Sequence, residues 1–343
     1  QLYRAVVDLG RALPDIPSDL DNPVWVLLGN DRRFATAVLA LVSRGIPFVP
    51  LDAAASAKKL LLTFSATDRP LIMATRKLQD ALADDLEDVE WLVYEDFEKP
   101  DFGDNDLAST KLRDDICQVL TSGTTGIPNR VRYTAKMLSH DVVVRSNALK
   151  FAPSDVFAQW LSGTSLPLMT LFLALLNGAR ICCRNIRGSE RAPLGQWIRD
   201  QDISILRLTP SLLRVIASES LSAEQVQKVR LVSSGGEPLF RSDLERFNAL
   251  FADGTVLLNH LSATEYRVAC QFLMPRGFDA VPERIPVGYP LPGYSIWLLT
   301  EAGDEVADGE PGEIVIRSHY VSPGYFDSCL LYTSDAADEH RDV

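Results

Sequence analysis

The chain has 343 residues, 46% of them hydrophobic and 23% charged, enough for two domains or one large α/β body around a buried core. That composition excludes disordered, collagenous and small disulfide-stapled classes. Acidic residues outnumber basic ones 46 to 34, a net charge of −12, and no long basic run follows a phosphate backbone, so nucleic acid is not an expected partner.

The longest apolar stretches, such as residues 166–176, fall short of the roughly 20 residues that span a bilayer, so no membrane span is expected. The chain starts Gln1-Leu2-Tyr3-Arg4, without an initiator Met or a targeting pattern, and is expected to begin inside a longer protein. Its five cysteines (117, 182, 183, 270 and 329) lack C-x-x-C spacing, so neither zinc nor a disulfide framework is expected, and a cytoplasmic location fits.

Residues 24–28 read as a buried strand, 33–43 as a helix and 48–51 as the next strand after Gly45-Ile46-Pro47, which together make a βαβ unit. A helix near 57–65, a strand at 71–74 and a mixed run at 91–94 extend this into a first α/β lobe over residues 1–100. Residues 95–114 are acidic, contain Pro and Gly, and read as a surface linker. A second lobe over 115–265 is expected to open with a strand at 116–120. Further strands are expected at 156–161, 180–183, 203–208, 229–233 and 255–258, with helices between them. After Tyr266, strand patterns at 268–274, 295–300 and 313–317 alternate with Pro-Gly and Ala-Gly-Asp turn signals, a β-rich subdomain over 266–326.

The segment Thr121-Ser122-Gly123-Thr124-Thr125-Gly126-Ile127-Pro128 follows an apolar strand directly. Its glycines let consecutive N–H groups converge and its hydroxyls add donors, a design suited to phosphate oxygens. It lacks the G-x-x-x-x-G-K-[ST] spacing, so the mechanics of that phosphate loop do not transfer. Four further blocks accompany it: Leu41 to Asp52, with Gly45-Ile46-Pro47-Phe48-Val49-Pro50-Leu51-Asp52; Ser234-Gly235-Gly236-Glu237-Pro238-Leu239; Asn259-His260-Leu261-Ser262-Ala263-Thr264-Glu265; and Pro286 to Tyr325, with Gly312-Glu313-Ile314-Val315-Ile316-Arg317.

In content and order these blocks resemble those of the adenylate-forming superfamily: acyl-CoA synthetases, luciferase-like enzymes and adenylation domains of nonribosomal peptide synthetases. The resemblance implies the large N-terminal body of such an enzyme, over about residues 1–326. It implies that Thr121, Ser122, Gly123, Thr124, Thr125 and Gly126 cradle the β- and γ-phosphates of ATP. Gly235, Gly236 and Glu237 then lie along the adenine, Thr264 meets the α-phosphate and Glu265 ligates Mg²⁺, a hard cation held by few carboxylates plus substrate phosphates. The implied reaction joins a carboxylic acid to AMP with release of pyrophosphate, then passes the acyl group to CoA or to the phosphopantetheine of a carrier protein.

The sequence departs from the family in places. Pro128-Asn129-Arg130 stands where the family's loop has Pro-Lys-Gly, which leaves Arg130, Arg132 or Lys136 as substitute cations. Leu261-Ser262 replaces Tyr-Gly, and Ser318 replaces a late Gly. Where amino-acid-activating relatives carry an Asp, Ser165 stands, and no acidic residue occurs from Val156 to Asn177; an apolar or aryl acid is expected instead, facing Trp160, Leu161, Leu166, Leu168 and Met169. His260 is either a substrate-facing or a packed residue. The match stops at Phe326, and residues 328–343 are expected to be a non-native joining sequence, so the family's mobile C-terminal domain is expected to be missing. Alternatives are a catalytically silent nucleotide- or acyl-binding module, and a hydrolase or oxidoreductase; the last two lack G-x-S-x-G and G-x-G-x-x-G motifs here.

Overall fold

The computed structural model describes residues 1–17, 20–64, 69–97, 113–121, 128–160, 165–185, 193–218, 221–279 and 281–326. Helix α1 (Leu2–Ala12) leads into β1 (Val24–Leu27), α2 (Arg32–Arg44), β2 (Phe48–Pro50), α3 (Ala57–Phe64), β3 (Leu71–Ala74), α4 (Arg76–Leu82) and β4 (Glu90–Val93), followed by the hairpin β5 (Asp115–Thr121) and β6 (Asn129–Thr134). These strands form a six-stranded sheet in the order β4-β3-β1-β2-β5-β6, parallel except for β6. Local chemistry sets the first crossover. Asp31 accepts from Arg33 N at the start of α2, and Gly45, at φ 64°, ends it in the left-handed conformation so that β2 can turn back beside β1.

The second part runs through α5 (Ala135–Leu149), β7 (Val156–Gln159), α6 (Ser165–Leu175), β8 (Arg180–Cys183), α7 (Leu194–Asp200), β9 (Ile205–Leu208), α8 (Pro210–Ser218), β10 (Leu231–Gly235), α9 (Arg241–Leu250), β11 (Val256–Ala263), β12 (Arg267–Pro275) and β13 (Tyr289–Pro290). Its sheet has seven strands in the order β13-β12-β11-β10-β9-β7-β8. A two-stranded ribbon, β14 (Tyr294–Leu299) and β15 (Glu313–Ser318), packs through Tyr294, Ile296 and Ile316 against Val268 and Ala269 of β12.

Alternation along the strands sorts side chains into layers. Val24, Val26 and Phe48 of the first sheet share one core with Phe157, Ile205, Leu231 and Leu258 of the second, and α1, α2, α5 and α6 fill the space between. Trp25 and Leu27 point the other way, toward α3, whereas Leu206, Leu208 and Val232 point outward onto α7, α8 and α9. The result is five layers: helices, sheet, helices, sheet, helices.

The sheet topology corrects one expectation. The strand at 115–121, expected to open the second lobe at residue 115, belongs to the first sheet: Phe48 of β2 pairs with Cys117, and β6, which the sequence reading did not foresee, closes the edge. Beyond that edge, Val131 bridges Tyr325, Phe326 N donates to Arg130 O at 2.7 Å, and Arg132 N donates to Gly324 O at 3.2 Å. Residues 324–326 thereby cover a strand edge that water or another chain would otherwise meet. Most of the linker expected at 95–114, and all of the tail expected at 328–343, lie outside the described residues.

Candidate functional site

Thr121 ends β5 opposite Asn129, its register partner at the start of β6. Ser122, Gly123, Thr124, Thr125 and Gly126 lie outside the described residues. Two positions after Asn129, β6 meets the covering segment at Tyr325, whose hydroxyl donates to Glu265 Oε1 at 2.9 Å. The end of the first sheet's hairpin and the Thr264–Glu265 pair are thus linked through one short strap.

Thr264, Glu265 and Tyr266 form the turn between β11 and β12. The turn is pinned on its carbonyl oxygens: Ser322 N donates to Glu265 O at 2.7 Å, and Tyr294 Oη donates to Tyr266 O at 2.7 Å. Arg267 leaves the turn at φ 62°, a left-handed conformation that costs a non-glycine residue energy and persists where surrounding contacts fix it. Burial, and then the Glu265 charge beside it, push the Tyr325 hydroxyl above its usual range, so it stays a donor to that carboxylate at neutral pH.

Gly235 and His260 are register partners on β10 and β11. A Cβ on Gly235 would stand 2.4 Å from His260 Nε2, so only glycine admits the ring there. Gly236 follows at φ 83°, the turn that carries the chain off the strand. Beside them is a largely apolar cavity of about 270 Å³, lined by Gly236, Leu239, Asn259, His260, Ile285 and Val287 among others. Asn259 holds the facing segment in place, donating from Nδ2 to Ile285 O (3.2 Å) and Pro286 O (3.0 Å). Glu237 also lines this cavity, but its carboxylate accepts from Ser211 N at 3.0 Å and from Ser211 Oγ, at the N-terminus of α8. Its charge there meets the positive end of that helix.

The substitute cations take definite places. Arg132 pairs with Asp115 at 2.6 Å, Arg130 lies buried with its guanidinium 4.2 Å from the Phe326 ring centroid, and Lys136 stands 5.3 Å from the Tyr320 centroid.

Two of the three expected pocket residues lead inward. Ser165 Oγ accepts from Arg267 Nη1 at 2.7 Å and lies 3.2 Å from Tyr133 Oη. His260 is half-buried at the cavity wall, and desolvation together with Arg145, Arg207 and Arg267 holds it neutral, its pKa well below the usual 6.5. Trp160 does not join them. It packs on the outer face of the second sheet near Trp197, with its indole N–H on Arg207 O at 3.0 Å, because its place in the alternation faces α7. Leu168 and Met169 are fully buried in the inter-sheet core and serve as packing, Leu166 is half-buried, and Leu161 lies outside the described residues.

The sequence reading missed the charges that surround His260. Arg145 (α5), Arg207 (β9) and Arg267 (β12) are each at least 95% buried. Asp141 is the carboxylate among them, 3.9 Å from Arg145 Nη1 and 3.8 Å from Arg267 Nη2. The available signal was a charge inside an apolar run: Arg145 after Val142-Val143-Val144, and Arg207 between Leu206 and Leu208.

The cavity and the Thr264–Glu265 turn lie near the ends of the parallel strands β10 and β11, where open α/β sheets bind ligands. The AMP-binding enzyme family model matches residues 1–326, and the chain belongs to that family. Among curated proteins it is 27% identical over 331 residues to an L-proline–[L-prolyl-carrier protein] ligase of Streptomyces coelicolor, covering 88% of this chain and 61% of that one. It is 25% identical to bacitracin synthase 3 of Bacillus licheniformis over 95% of this chain but 5% of that protein. The chain therefore spans only part of these relatives. In fold it is similar to the Klebsiella oxytoca NpsA N-terminal subdomain in complex with 3-hydroxybenzoyl-AMSN, with a TM-score of 0.80 and 18% identity over 98% of this chain and 83% of that one. ATP-bound MatB from Rhodopseudomonas palustris gives a TM-score of 0.77 at 19% identity, over 95% of this chain and 65% of that one. No helix among the described residues is long and apolar enough to cross a membrane.

Proposed function

We propose that this chain is the nucleotide- and acid-binding body of an ATP-dependent ligase that activates a carboxylic acid as its acyl-adenylate and passes the acyl group to a thiol. The observation that carries the reading is the Thr264–Glu265 turn, pinned by Ser322, Tyr294 and Tyr325. It lies where β11 ends, a few residues beyond the His260–Gly235 contact and the glycine-edged cavity. In the reaction a carboxylate oxygen of the acid bonds to the α-phosphorus of ATP and the bond from that phosphorus to the pyrophosphate oxygen breaks. Positioning and charge neutralisation supply most of the rate in such displacements.

Each residue's part is the one that the family resemblance implies. Amides and hydroxyls of Thr121 to Gly126 hold the outer phosphates, and Gly235 and Gly236 bring backbone close to a flat base. The Thr264 hydroxyl binds the α-phosphate. Glu265 fits a divalent cation held by one carboxylate and substrate phosphates: Tyr325 engages Oε1, and none of the described residues donates to Oε2. Bound there, Mg²⁺ would neutralise charge on the phosphates. Glu237, tied to Ser211, shapes the cavity edge. The acceptor we infer is the phosphopantetheine thiol of a carrier protein, with CoA as the other candidate; support comes from the carrier-protein ligases among the relatives. The division into residues 1–100, 115–265 and 266–326 is retained only as a functional outline, the first sheet extending to β6.

A second reading, a nucleotide-binding module without turnover, rests on Asn129 in the phosphate loop and on the engagement of Arg132 by Asp115. Acid-dependent exchange of labelled pyrophosphate into ATP, run on the full-length protein with a panel of acids, separates the two. Exchange with any acid supports activation, and its absence from folded, nucleotide-binding protein refutes it. Mg-ATP at about a hundred times its Kd should stabilise the fold by about 2.7 kcal/mol. Glu265→Ala should remove most of that gain in a thermal-shift assay.

A further inference from the structure

Three guanidiniums and one carboxylate meet in the inter-sheet layer beside His260. The sheet alternation turns Arg207 inward with Ile205, while Leu206 and Leu208 face outward. Arg207 Nη1 donates to Thr170 Oγ1 at 2.7 Å, and Arg267 Nη1 donates to Tyr133 Oη at 2.8 Å and to Ser165 Oγ at 2.7 Å. These bonds use neutral hydroxyls and leave the charge uncompensated. Arg145 is fully buried, and its Nε, Nη1 and Nη2 have no hydrogen-bond acceptor among the described residues. Nε of Arg207 and Nε of Arg267 are likewise without one. Asp141 offsets one charge, at ion-pair distances too long for a hydrogen bond, and among the described residues two positive charges remain. Arginine does not shed its proton in proteins, so this arrangement calls for an anion with several acceptor positions.

The cluster adjoins the cleft. Arg207 pairs in register with Ser233, two positions before Gly235, which places its Cα roughly 8 Å from that of Gly235 by strand spacing. We infer that Arg145, Arg207 and Arg267 receive a second carboxylate of the acid being activated, so that the substrate class is a short-chain dicarboxylic acid. A carboxylate is small enough for a layer this closely packed and takes paired N–H donors from guanidinium. The inference rests on the acid-activation reading for which end of the acid reacts; the site for the other end rests on the cluster alone.

The test measures melting temperature and pyrophosphate exchange for the full-length protein with succinate or glutarate, and with butyrate or pentanoate of matched length. Succinate or glutarate should raise the melting temperature and support exchange, and the matched monoacids should be poorer by about thirtyfold or more at equal concentration. Arg207→Met and Arg145→Met should abolish the diacid shift while keeping the Mg-ATP shift, which shows that both variants fold. Arg145→Met should also melt no lower than the parent without acid, because it lowers the buried positive excess while Asp141 keeps its ion pair with Arg267. Monoacids equal to or better than diacids, or a diacid shift that survives both substitutions, would overturn the inference. A diacid shift that depends on the arginines, with no exchange for any acid, would leave the carboxylate site standing and refute acid activation.

Discussion

Gly235 and His260 show how much one missing side chain decides. The sequence marked Gly235 as a place for a flat ligand ring, and the structure adds that a protein ring already lies against it. Gly235→Ala should therefore cost about 1–3 kcal/mol through overpacking, read as a lower urea midpoint, and should displace His260 from the cavity wall. His260 also carries a pH signature. Held neutral by desolvation and the nearby arginines, it binds no proton where the unfolded chain does, so its contribution to stability is present above about pH 6.5 and is lost as pH falls below that value toward its depressed folded pKa. Urea titrations at pH 7.5 and 5.5 should show a smaller acid loss for His260→Asn than for the parent; an equal loss would place the titration elsewhere. The Thr264–Glu265 pair was legible because its chemistry sits in adjacent residues. The arginine cluster was not, because α5, β9 and β12 contribute one guanidinium each and only folding unites them.

Strands that are buried on both faces announce themselves, and for that reason β1, β2, β3 and β7 stand close to where the sequence put them. β6 did not: its Asn-Arg-Val-Arg-Tyr-Thr alternates Val131 and Tyr133 with arginines, a pattern easily passed over directly after a Gly-rich loop. Assignment of β5 to the first sheet could not be read locally either, since it depends on the single pairing of Phe48 with Cys117. At the opposite end of the second sheet, Asp155 ties three elements. It accepts from Arg230 at 2.8 and 2.6 Å, from Ser204 Oγ at 2.9 Å and from Ala152 N at 2.9 Å. Burial alone would raise its pKa, but these donors hold it below the ordinary carboxylate value. Asp155→Asn should destabilise by roughly 1–3 kcal/mol at pH 7, with the deficit shrinking as pH falls through the folded pKa of the parent. A pH-independent deficit would show that shape, not charge, is what the position supplies.

The two sheets are expected to behave as one cooperative unit, because a single apolar cluster runs from Val24 and Phe48 through α2 and α6 to Ile205 and Leu258. Tryptophans sample both halves: Trp25 lies behind the first sheet, and Trp160 behind the second. Variants that keep tryptophan only at position 25 or only at position 160, the other four replaced by Phe, should therefore show one common denaturation midpoint, matched by circular dichroism. Separate transitions would mean that the halves unfold independently. At this scale the order of motifs, more than composition or hydrophobic period, made the architecture legible. Charge balance over the whole chain concealed a local positive excess within the core.

The strap formed by residues 324–326 has a mechanical consequence. It zips onto β6 through two backbone hydrogen bonds that together make one antiparallel bridge, and its tyrosine is the group that grips Glu265. Because the same three residues carry the edge bonds and the tyrosine, uncovering the β6 edge would also release the Glu265 carboxylate, so the two events are coupled.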